Sequence, residues 1–600
     1  MNKQESDIIN ALINKPYTNQ RILAKESGHS LGIVNRSIKT LINDEYLNEN
    51  MELTQKAKKE IEKKAPRNAI ILAAGFGMRM VPINTEVPKG LLEIQGEPLI
   101  ERQIKQLHKV GIREIYIVVG FMKEQYEYLI DKYNVELVVN KDYALKNNLH
   151  SMKLVLQHLS NTYIIPCDIW SEKNPFHRHE LYSWYMVSDI VDNESSVRVN
   201  RKMELILTSN NVGGNEMMGI SYLLEEQAAV VRERICQLCM DKRFDGAFWE
   251  EALYQQNKML VQAWVVHAAD VIEINTYEQL RELDSDSNQL KSEIITLIAK
   301  TLNISNNEIT DIEVLKKGMT NRSFLFNGRE EKYIMRIPGE GTDYLINRGQ
   351  EAEVYRALEG YGICDDIVYF DAKTGYKITK YFEGARVCDP FQEDEIDRCM
   401  KKLREFHNLN LQVEHEFDIF RQIQFYENLW KGASSIYRDY KETKKKVFSL
   451  RFYIEENIER KVLTHMDAVP DNFLFIDEKK EEIRIIDWEY AGMQDPHVDI
   501  AMFCVYAMYN KKQVDRLIQA YFSQGCPNHT RIKIYCYISA CGLLWSNWCE
   551  YKRSLGVEFG EYSLRQYRFA KDYYRIVQEE FLKMKEEQNE SGKTCNYFNV

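Results

Sequence analysis

The pattern of hydrophobic and polar positions divides the chain into three stretches and a tail. Residues 1–65 carry short amphipathic segments with helical spacing, which end in the lysine-rich run LTQKAKKEIEKKA. Residues 67–285 alternate apolar runs, such as NAIILAAG, EIYIVVG and TYIIPCD, with amphipathic segments, and this predicts an α/β domain on a largely parallel sheet. After a polar linker near 284–293, residues 290–585 begin with strand-like material and become mostly helical. Residues 586–600 are predicted to form a disordered tail.

Composition narrows the class of protein. Of the 600 residues, 44% are hydrophobic and 28% are charged, which is typical of a globular protein with several cores. The net charge of −11 argues against a chain-wide role in binding polyanions. The polar N-terminus lacks the apolar core of a signal peptide, and the longest apolar run, IAMFCVYAM, is far shorter than the roughly 20 residues that span a bilayer. We therefore expect a cytoplasmic protein without membrane insertion.

The cysteines support the same compartment. All 12 are scattered along the chain, mostly in apolar segments, which is typical of buried reduced thiols. One CxxC pair exists, Cys236 and Cys239, but no second pair lies near it. No zinc site is therefore predicted there.

A glycine-containing loop follows the first strand of the middle stretch, in the string AIILAAGFGMRMVPINTEVPKGLLEIQG. Backbone N–H groups of such a loop can bind phosphates, and Ala74, Gly75 and Gly77 lie where the backbone would approach them. Arg79 and Lys89 supply fixed positive charge. The whole string resembles the signature of the nucleotidyltransferases that include sugar-phosphate and phosphocholine nucleotidyltransferases. The resemblance implies a Rossmann-like domain in which a substrate phosphate attacks the α-phosphorus of a nucleoside triphosphate and pyrophosphate leaves.

The same resemblance implies a magnesium site and a substrate contact. Asp168 ends the strand TYIIPCD, where the family keeps a magnesium-binding aspartate. Glu273 and Asn275, in VIEINTYEQL, match the segment that carries a second metal-binding acid, although many relatives have an acid where Asn275 stands. Asn275 would give Mg²⁺ a carbonyl oxygen but no charge. Asn148, in NKDYALKNNLHSM, belongs to the Asn-Asn-x-x-Ser element of the phosphocholine-type members and is expected near the substrate.

The stretch FDGAFWEEAL resembles the aromatic and acidic stretch of phosphocholine cytidylyltransferases. Phe248 and Trp249, with either Asp245 or Glu250, are expected to enclose a quaternary ammonium group. A plain core helix explains the same residues equally well. Some relatives place a further aromatic residue near RKMELIL, where this chain has none.

A kinase-like motif lies in the last stretch, in LTHMDAVPDNFLFIDEKKEEIRIIDWEYAG. Phosphoryl transfer to a hydroxyl needs an acid that orients the hydroxyl, here Asp467, and an Asn and an Asp that hold magnesium, here Asn472 and Asp487. The string resembles the choline/ethanolamine kinase and aminoglycoside phosphotransferase superfamily. The resemblance implies a bilobal protein-kinase-like domain that uses ATP and Mg²⁺.

The upstream sequence extends this resemblance. The string LKKGMTNRSFLF resembles the turn that covers the nucleotide, and its expected phosphate neighbours are Gly318, Thr320 and Asn321. Arg336, in KYIMRIPG, takes the place of the kinase lysine, and Glu351 is its expected helix partner. The string ITKYFEG fits the hinge, and Asp499 is expected to brace the catalytic loop.

Two tryptophans near the C-terminus suggest which molecule accepts the phosphoryl group. Trp545 and Trp548 would share one face of a helix, and such a pair is usually core packing. Their segment, however, resembles the choline-binding segment of choline kinases, in which aromatic faces and carboxylates hold trimethylammonium. Glu489 and Tyr562 are the further expected substrate contacts. Tyr562 would substitute for the tyrosine that relatives have where this chain has Leu564.

Residues 1–65 resemble a winged helix-turn-helix module. Asn35, Arg36 and Lys39 would face a DNA major groove if the helix LGIVNRSIKTLIN reads DNA. The stretch is only mildly basic, with 11 Lys and Arg against 9 Asp and Glu. DNA binding and a protein-contact role both stay open.

The two enzyme resemblances describe consecutive reactions, because phosphocholine is the product of one and the substrate of the other. We therefore expect a multidomain α/β and α+β enzyme that binds choline, ATP, phosphocholine, CTP and Mg²⁺ and makes CDP-choline for phosphocholine decoration of cell-surface glycans. Two alternatives remain open. The same two steps could activate another amino alcohol or a sugar, or the chain could be a transcriptional regulator that senses metabolites.

Overall fold

A computed structural model gives the fold. The residues that it describes are 1–77, 80, 82–83, 87–193, 195–208, 213–285, 287, 290, 292–315, 321–339, 345–430, 432–477, 482–554 and 559–591. They form two compact units, of which the first comprises Met1–Lys300 with Ser305–Asn307 and the second comprises Thr301–Ile304 with the described residues from Glu308 onward. The division therefore falls after the predicted linker near 284–293.

The first unit begins with the predicted winged helix. Its helices are α1 (Lys3–Asn14), α2 (Gln20–Ser27), α3 (Leu31–Asn43) and α4 (Gln55–Lys64). Each begins after a polar residue whose side chain accepts a backbone N–H of the first turn: Asn2, Asn19, Ser30 and Thr54. Leu47 and Leu53 form an antiparallel bridge between α3 and α4, at the position of the wing.

The winged helix packs on the segment that precedes a central strand of the same unit. Leu181, 1% exposed, belongs to the apolar core of the winged helix. The hydroxyl of Tyr182 donates to Asp7 Oδ1 at 3.0 Å, and Asp7 also accepts from Lys3. Lys64 Nζ donates to the Leu181 carbonyl at 3.2 Å. The winged helix is therefore part of the first unit's core and not a tethered module.

The rest of the first unit is a mixed sheet with flanking helices. The strands are β1 (Asn68–Ala73), β2 (Glu93–Ile94), β3 (Glu97–Pro98), β4 (Glu114–Val119), β5 (Glu136–Val139), β6 (Thr162–Pro166), β7 (Ile169–Ser171), β8 (Trp184–Asp192), β9 (Val197–Val199), β10 (Glu204–Leu207), β11 (Gly214–Leu223), β12 (Tyr254–Gln255), β13 (Lys258–Val266) and β14 (Val271–Glu273). The helices are α5 (Leu99–Lys109), α6 (Tyr128–Tyr133), α7 (Asn148–Lys153), α8 (Glu225–Leu238), α9 (Tyr277–Leu283) and α10 (Glu293–Leu302).

The order of the main sheet is β5-β4-β1-β6-β11-β8-β13-β10-β9, with β12 on β13. The strands β5, β4, β1 and β6 are parallel, whereas β11 is antiparallel to both β6 and β8. The prediction of a largely parallel sheet thus holds for one half. In the other half, β8 and β13 are parallel, but β9, β10 and β11 pair antiparallel with their neighbours. The described chain from β8 to β11 has no crossover helix, which parallel neighbours would need.

The parallel half brings candidate site residues to one edge. Ala74 follows β1 and Asp168 follows β6, so both lie at the carboxyl ends of adjacent strands. The short strands β7 and β14 pair with Ile169 opposite Glu273, and the Ile274 N–H donates to the Asp168 carbonyl at 3.0 Å. The two segments predicted to bind magnesium are therefore neighbours.

The second unit has the predicted two lobes. The first lobe is an antiparallel sheet of order β15-β16-β17-β19-β18 with one long helix beside it. Its elements are β15 (Ile309–Val314), β16 (Asn321–Gly328), β17 (Glu331–Pro338), α11 (Arg348–Leu358), β18 (Ile367–Phe370) and β19 (Lys377–Lys380). The second lobe is mostly helical and contains β20 (Arg386–Val387), α12 (Glu393–Asn408), α13 (Ile419–Asn428), α14 (Tyr440–Ser449), α15 (Arg451–Glu456), β21 (Val462–Thr464), β22 (Phe473–Phe475), β23 (Ile483–Ile485), β24 (Gly492–Gln494), α16 (His497–Tyr506), α17 (Lys511–Tyr521), α18 (Asn528–Ser554) and α19 (Glu561–Ser591).

The C-terminal helix is longer than predicted. Helix α19 continues to Ser591, six residues into the segment 586–600 that was expected to be disordered. The run EEQNE favours helix because Glu and Gln are good helix formers, so it extends α19. Among the described residues, no helix is both long and apolar enough to cross a membrane.

Candidate active sites

The glycine-containing loop of the first unit lies against Lys89. Gly77 has a φ of +62°, and a Cβ added there would stand 3.5 Å from Lys89 Cδ. The left-handed backbone favours glycine at this position and lets the loop pass close to the lysine. Ala74 and Gly75 lie between β1 and Gly77, as predicted, whereas Arg79 lies outside the described residues.

Lys89 joins two segments that are far apart in sequence. Its Nζ donates to Asp168 Oδ2 at 2.5 Å and to Asn275 Oδ1 at 2.7 Å. Both side chains of the Lys89–Asp168 pair are mostly buried, with 12% and 14% exposed. Glu273 lies two residues before Asn275, at the end of β14. The structure thus assembles Lys89, Asp168, Glu273 and Asn275 at one edge of the sheet.

This edge suits a divalent cation. Asp168 Oδ1 is buried and has no hydrogen-bond partner among the residues that the structure describes. An uncommitted carboxylate oxygen of Asp168 near the amide oxygen of Asn275 is the kind of oxygen donor pair that Mg²⁺ takes. The residues present therefore fit the expected metal.

A buried aromatic and acidic group lies near the same edge. Trp249 and Tyr185 are each 1% exposed, and the Tyr185 hydroxyl donates to Glu250 Oε1 at 2.9 Å. The other oxygen of Glu250 is buried without a hydrogen-bond partner in the described part of the chain. Burial raises the pKa of Glu250 to about 7, and the charge of Glu273 adds to this effect. A cation bound beside Glu250 would therefore stabilise the ionised form of this carboxyl group.

The structure also separates the residues predicted around Trp249. Asn148 Oδ1 accepts the Trp249 N–H at 2.7 Å, so Asn148 fixes the aromatic segment through its backbone. Asp245 lies 3.3 Å from Lys146 Nζ and 3.1 Å from His150 Nε2, which leaves Glu250 as the acid beside Trp249. Phe248 is 59% exposed and does not share the buried environment of Trp249.

Sequence reasoning missed Tyr185. It lies on β8 within WYMVSDIV, where its neighbours look like ordinary strand core. Its hydrogen bond to Glu250 places it beside the acidic end of the group. The only signal in the sequence was an aromatic residue near the beginning of a strand, and many core strands have one.

In the second unit, Arg336 and Glu351 form the predicted ion pair. Both terminal guanidinium nitrogens of Arg336 donate to Glu351, Nη1 to Oε1 and Nη2 to Oε2 at 3.0 Å, and both side chains are buried. Two-point pairing of this kind is the geometry in which Arg binds a carboxylate most specifically. The pair joins β17 to α11, as the resemblance to kinases implied.

Arg348 extends this pair into a network that sequence reasoning missed. Its Nη1 donates to Glu351 Oε2 at 2.8 Å and to Glu489 Oε2 at 3.3 Å, and its Nη2 donates to Asn321 Oδ1 at 3.0 Å. Asn321 in turn donates to Glu489 at 2.9 Å. The structure therefore places Glu489 in a network with Arg348 and Asn321, while its contact with substrate stays a prediction. Gly318 and Thr320 lie outside the described residues.

The Asp499 carboxylate fixes the backbone of the predicted catalytic loop. The backbone N–H groups of His465 and Met466 donate to the Asp499 carboxylate at 2.9 and 2.8 Å. Asn472 Nδ2 donates to the Asp467 carbonyl at 2.8 Å and lies 3.3 Å from Asp467 Oδ2. The predicted bracing role of Asp499 fits this geometry.

Backbone strain and charge both concentrate at this loop. Met466 and Asp487 have φ values of +64° and +67°, which non-glycine residues rarely adopt. Burial, with the charges of Asp487 and Glu489, raises the pKa of Asp467 to about 8. Burial also raises the pKa of Asp487, while Lys377 and Arg336 act in the opposite direction. Crowded buried carboxylates of this kind suit Mg²⁺, which Asn472 and Asp487 would hold.

An aromatic group lies on the last two helices. Trp545 and Trp548 are on α18, as predicted, with ring centroids 5.5 Å apart and nearly perpendicular planes. Phe559 lies 5.1 Å from Trp548 and 6.4 Å from Tyr562. The Lys552 ammonium lies 5.6 Å from the Trp548 ring, so the face of this ring already accepts a cation.

Tyr562, and not residue 564, belongs to this group. The Leu564 residue is 53% exposed, whereas burial and, after it, the charges of Cys549 and Asp467 raise the pKa of Tyr562. Tyr562 is therefore within electrostatic reach of the predicted catalytic acid. The absence of a tyrosine at position 564 leaves this aromatic group intact.

Comparison with known proteins gives three family matches. Residues 312–539 match the choline/ethanolamine kinase family, residues 69–179 match the MobA-like NTP transferase domain, and residues 1–48 match the winged helix-turn-helix DNA-binding family.

Individual relatives match the two enzyme parts. Protein LicA of Haemophilus influenzae is 30% identical over 266 residues, which cover 41% of this chain and 96% of that protein. Choline-phosphate cytidylyltransferase of Streptococcus pneumoniae is 33% identical over 221 residues, which cover 36% of this chain and 96% of that protein. The solved structure of choline kinase LicA from Streptococcus pneumoniae is 27% identical, covers 47% of this chain and 99% of that one, and has a TM-score of 0.41.

These matches fall on the parts of the chain that contain the two assembled sites. The chain therefore belongs to the choline/ethanolamine kinase family through its C-terminal part and to the choline-phosphate cytidylyltransferase family of nucleotidyltransferases through its middle part.

Proposed function

We propose that the chain phosphorylates choline with ATP and then couples phosphocholine to CTP, which yields CDP-choline and pyrophosphate. The observation that carries this proposal is the aromatic group of Trp545, Trp548 and Tyr562, of which Tyr562 lies within electrostatic reach of Asp467. A trimethylammonium group has no N–H to donate, so aromatic faces are its natural binding surface. The choline/ethanolamine kinase family match and the name of the relative choline-phosphate cytidylyltransferase support the same pair of reactions.

In the kinase step, Asp467 orients the choline hydroxyl and accepts its proton as the oxygen attacks the γ-phosphorus of ATP. Asn472 fixes the Asp467 carboxylate and its backbone. Arg336, held by Glu351, supplies a fixed positive charge toward the nucleotide. Catalysis here is positioning and charge stabilisation, and no covalent protein intermediate is needed.

In the cytidylyl step, Lys89 binds the phosphate of phosphocholine and directs one of its oxygens to the α-phosphorus of CTP. The ammonium end lies toward Tyr185, Trp249 and Glu250, whose buried carboxylate complements the cation. Binding at both ends of the acceptor fixes the direction of attack. Pyrophosphate is the leaving group.

Magnesium has the same role in both sites. Asp168, Glu273 and Asn275 would hold it in the first unit, and Asn472 and Asp487 would hold it in the second. It supplies neutralisation of the triphosphate charge. The protein groups named above bind and orient the two acceptors.

The direct test incubates the purified full-length chain with choline, ATP, CTP and Mg²⁺. We expect ADP, pyrophosphate and CDP-choline, with phosphocholine as the intermediate. Omission of CTP should stop the reaction at phosphocholine. Absence of CDP-choline from the complete mixture would contradict the proposal, and faster turnover of another amino alcohol or of a sugar phosphate would reassign the substrate.

We also infer that the CDP-choline made here supplies phosphocholine for cell-surface glycans. The support is chemical, because the nucleotide-linked form is an activated donor that a transferase can use. Deletion of the gene should remove phosphocholine from surface glycans, as detected with a phosphocholine-specific antibody. An unchanged surface signal would exclude this use.

DNA binding is a second candidate function, favoured by the surface of α3. Arg36 and Lys39 are exposed on this helix while Val34 and Ile38 pack inward. Exposed basic side chains on the second helix of such a motif can reach DNA phosphates and base edges. Binding of a promoter fragment, measured together with CDP-choline synthesis, separates an enzyme from a regulator that only senses metabolites.

A further inference from the structure

A cleft of about 440 Å³ lies in the helical lobe of the second unit, behind the catalytic loop. It forms where α12 and α17 end and where α16 and α18 begin. We call it the distal cleft, and its residues used below are Arg404, Arg460, His497, Tyr521, Phe522 and Lys533. Its volume lies in the usual range for small-molecule sites.

The distal cleft carries guanidinium charge that the described acids do not neutralise. Arg404 donates to the Tyr521 carbonyl at 2.6 Å, and Arg460 donates to the side-chain oxygens of Asn408 and Asn410 at 2.9 and 2.7 Å. These acceptors are neutral, and no described carboxylate lies within 4 Å of either guanidinium. Such a pair of arginines suits a phosphate group, which accepts several N–H bonds at once.

The other charged groups of the distal cleft do not cancel the charge of its two arginines. Lys533 is buried and lies 2.7 Å from Asp495 Oδ2. Glu459 on the rim is exposed and faces His529 at 3.9 Å. With two arginines against Glu459, the net charge of the cleft lining is positive.

One wall of the distal cleft is aromatic. Phe522 lies 5.2 Å from the His497 ring and 5.0 Å from the Tyr521 ring, measured between centroids. His497 Nδ1 is buried and lies 3.2 Å from Asp495 Oδ1, a contact that does not meet hydrogen-bond geometry. Burial lowers the pKa of His497 to about 4, so the ring is neutral and can donate or accept toward a ligand.

A chain of hydrogen bonds connects this wall to the catalytic loop. The Tyr521 hydroxyl lies 2.9 Å from His407 Nδ1, and His407 Nε2 lies 2.9 Å from Asp499 Oδ2. Asp499 then accepts the backbone N–H groups of the two residues that precede Asp467. Tyr521, His407 and Asp499 are all at least 96% buried, so water does not bridge or bypass this chain.

We propose that the distal cleft binds a small phosphorylated anion and that its occupancy lowers kinase turnover by loosening the Tyr521–His407–Asp499 support of the catalytic loop. A phosphate on Arg404 displaces the Tyr521 carbonyl from that guanidinium and shifts the tyrosine. The same chemistry can come from free phosphate or from a nucleotide, whose base would lie on the aromatic wall.

The experiment uses the full-length chain, with orthophosphate and CMP as the two probes. Equilibrium dialysis should show one more bound probe per chain for the wild type than for Arg460→Gln. A larger effect of CMP assigns the aromatic wall to a base, whereas equal effects assign the cleft to phosphate alone. Equal binding by wild type and Arg460→Gln overturns the site, and this readout does not depend on the identity of the acceptor substrate.

The kinetic arm measures ADP formation with choline, saturating ATP and excess Mg²⁺, so that the probe cannot compete at the ATP site. The probe should lower kcat of the wild type about fivefold, the lower end of typical coupling between two sites. Arg460→Gln should keep the basal kcat and lose this inhibition. Tyr521→Phe should still bind the probe but lose the inhibition, and full inhibition of this variant would overturn the proposed chain of contacts. Arg568→Gln, an exposed arginine on α19, is the matched control.

Discussion

At the scale of single residues, Trp545 and Trp548 belong to the hydrophobic core and also to the proposed choline-binding surface. Trp548 is buried and packs on Phe559, whereas Trp545 is half-buried. Replacement of either by alanine should raise KM for choline roughly 5- to 30-fold, because a desolvated cation–π contact is worth about 1–2 kcal/mol. KM for ATP should stay unchanged in steady-state assays. Leu564→Ala, at an exposed position nearby, is the control, and an equal rise in both KM values would indicate a packing role only.

Asp467 should separate the two activities. Asp467→Asn removes the proton acceptor and should lower kcat for choline phosphorylation about 10²- to 10⁴-fold. The same variant should still make CDP-choline from added phosphocholine and CTP, because Lys89 and Asp168 are unchanged. Product analysis by mass spectrometry measures both steps. Loss of both activities would point to a folding defect.

Glu250 should give the cytidylyl step a pH dependence. Its pKa is raised to about 7, so the carboxyl is protonated below this pH and charged above it. Because the charged form attracts the ammonium group, KM for phosphocholine should fall as pH rises through about 7. The phosphate of the substrate also titrates near pH 6. Glu250→Gln should therefore keep only the phosphate's contribution, and an unchanged profile would contradict a role for Glu250.

At the scale of elements, the site residues that lie within short sequence motifs were the best predicted. Lys89, Asp168 and Asn275 were expected in one site, and the two hydrogen bonds of Lys89 bring them together. Tyr185 and Arg348 were missed because each stands alone in its element and meets its partners only through the tertiary fold. The antiparallel pairs of β9, β10 and β11 were missed for the same reason, since strand pairing is not encoded in any one strand.

Arg348 on α11 offers a test at this scale. It contacts Glu351 and Glu489, and all three side chains are at most 5% exposed. Arg348→Gln removes one buried cation from Glu351 and Glu489, although Arg336 still pairs with Glu351. This loss should destabilise the second unit by about 3 kcal/mol and lower kcat of the kinase step. Thermal unfolding and ADP formation measure the two effects. Arg356→Gln, exposed on the same helix, should change neither, and an equal response of both variants would exclude the network as the cause.

At the scale of the whole molecule, the winged helix and the nucleotidyltransferase part share one compact unit. Leu181→Ala removes a buried side chain from their common core and should cost about 2–5 kcal/mol. We expect faster proteolysis within residues 1–65, with the kcat of choline phosphorylation unchanged because another unit carries that reaction. Leu154→Ala, at a 44% exposed position, is the control. Equal protection of both variants would show that Leu181 does not hold the winged helix.

The packing around Leu181 predicts what happens when the N-terminal helices are removed from the chain. A chain cut before residue 67 would leave Leu181 facing water and would take away the Lys63 and Lys64 carbonyls, which accept hydrogen bonds from Asn161 and Tyr222. The shortened protein would expose an apolar side chain that is now buried. Its Asn161 and Tyr222 side chains would lose the backbone carbonyls that accept their hydrogen bonds. A version of the nucleotidyltransferase part made without residues 1–66 should therefore be more soluble with a polar side chain at position 181 than with leucine.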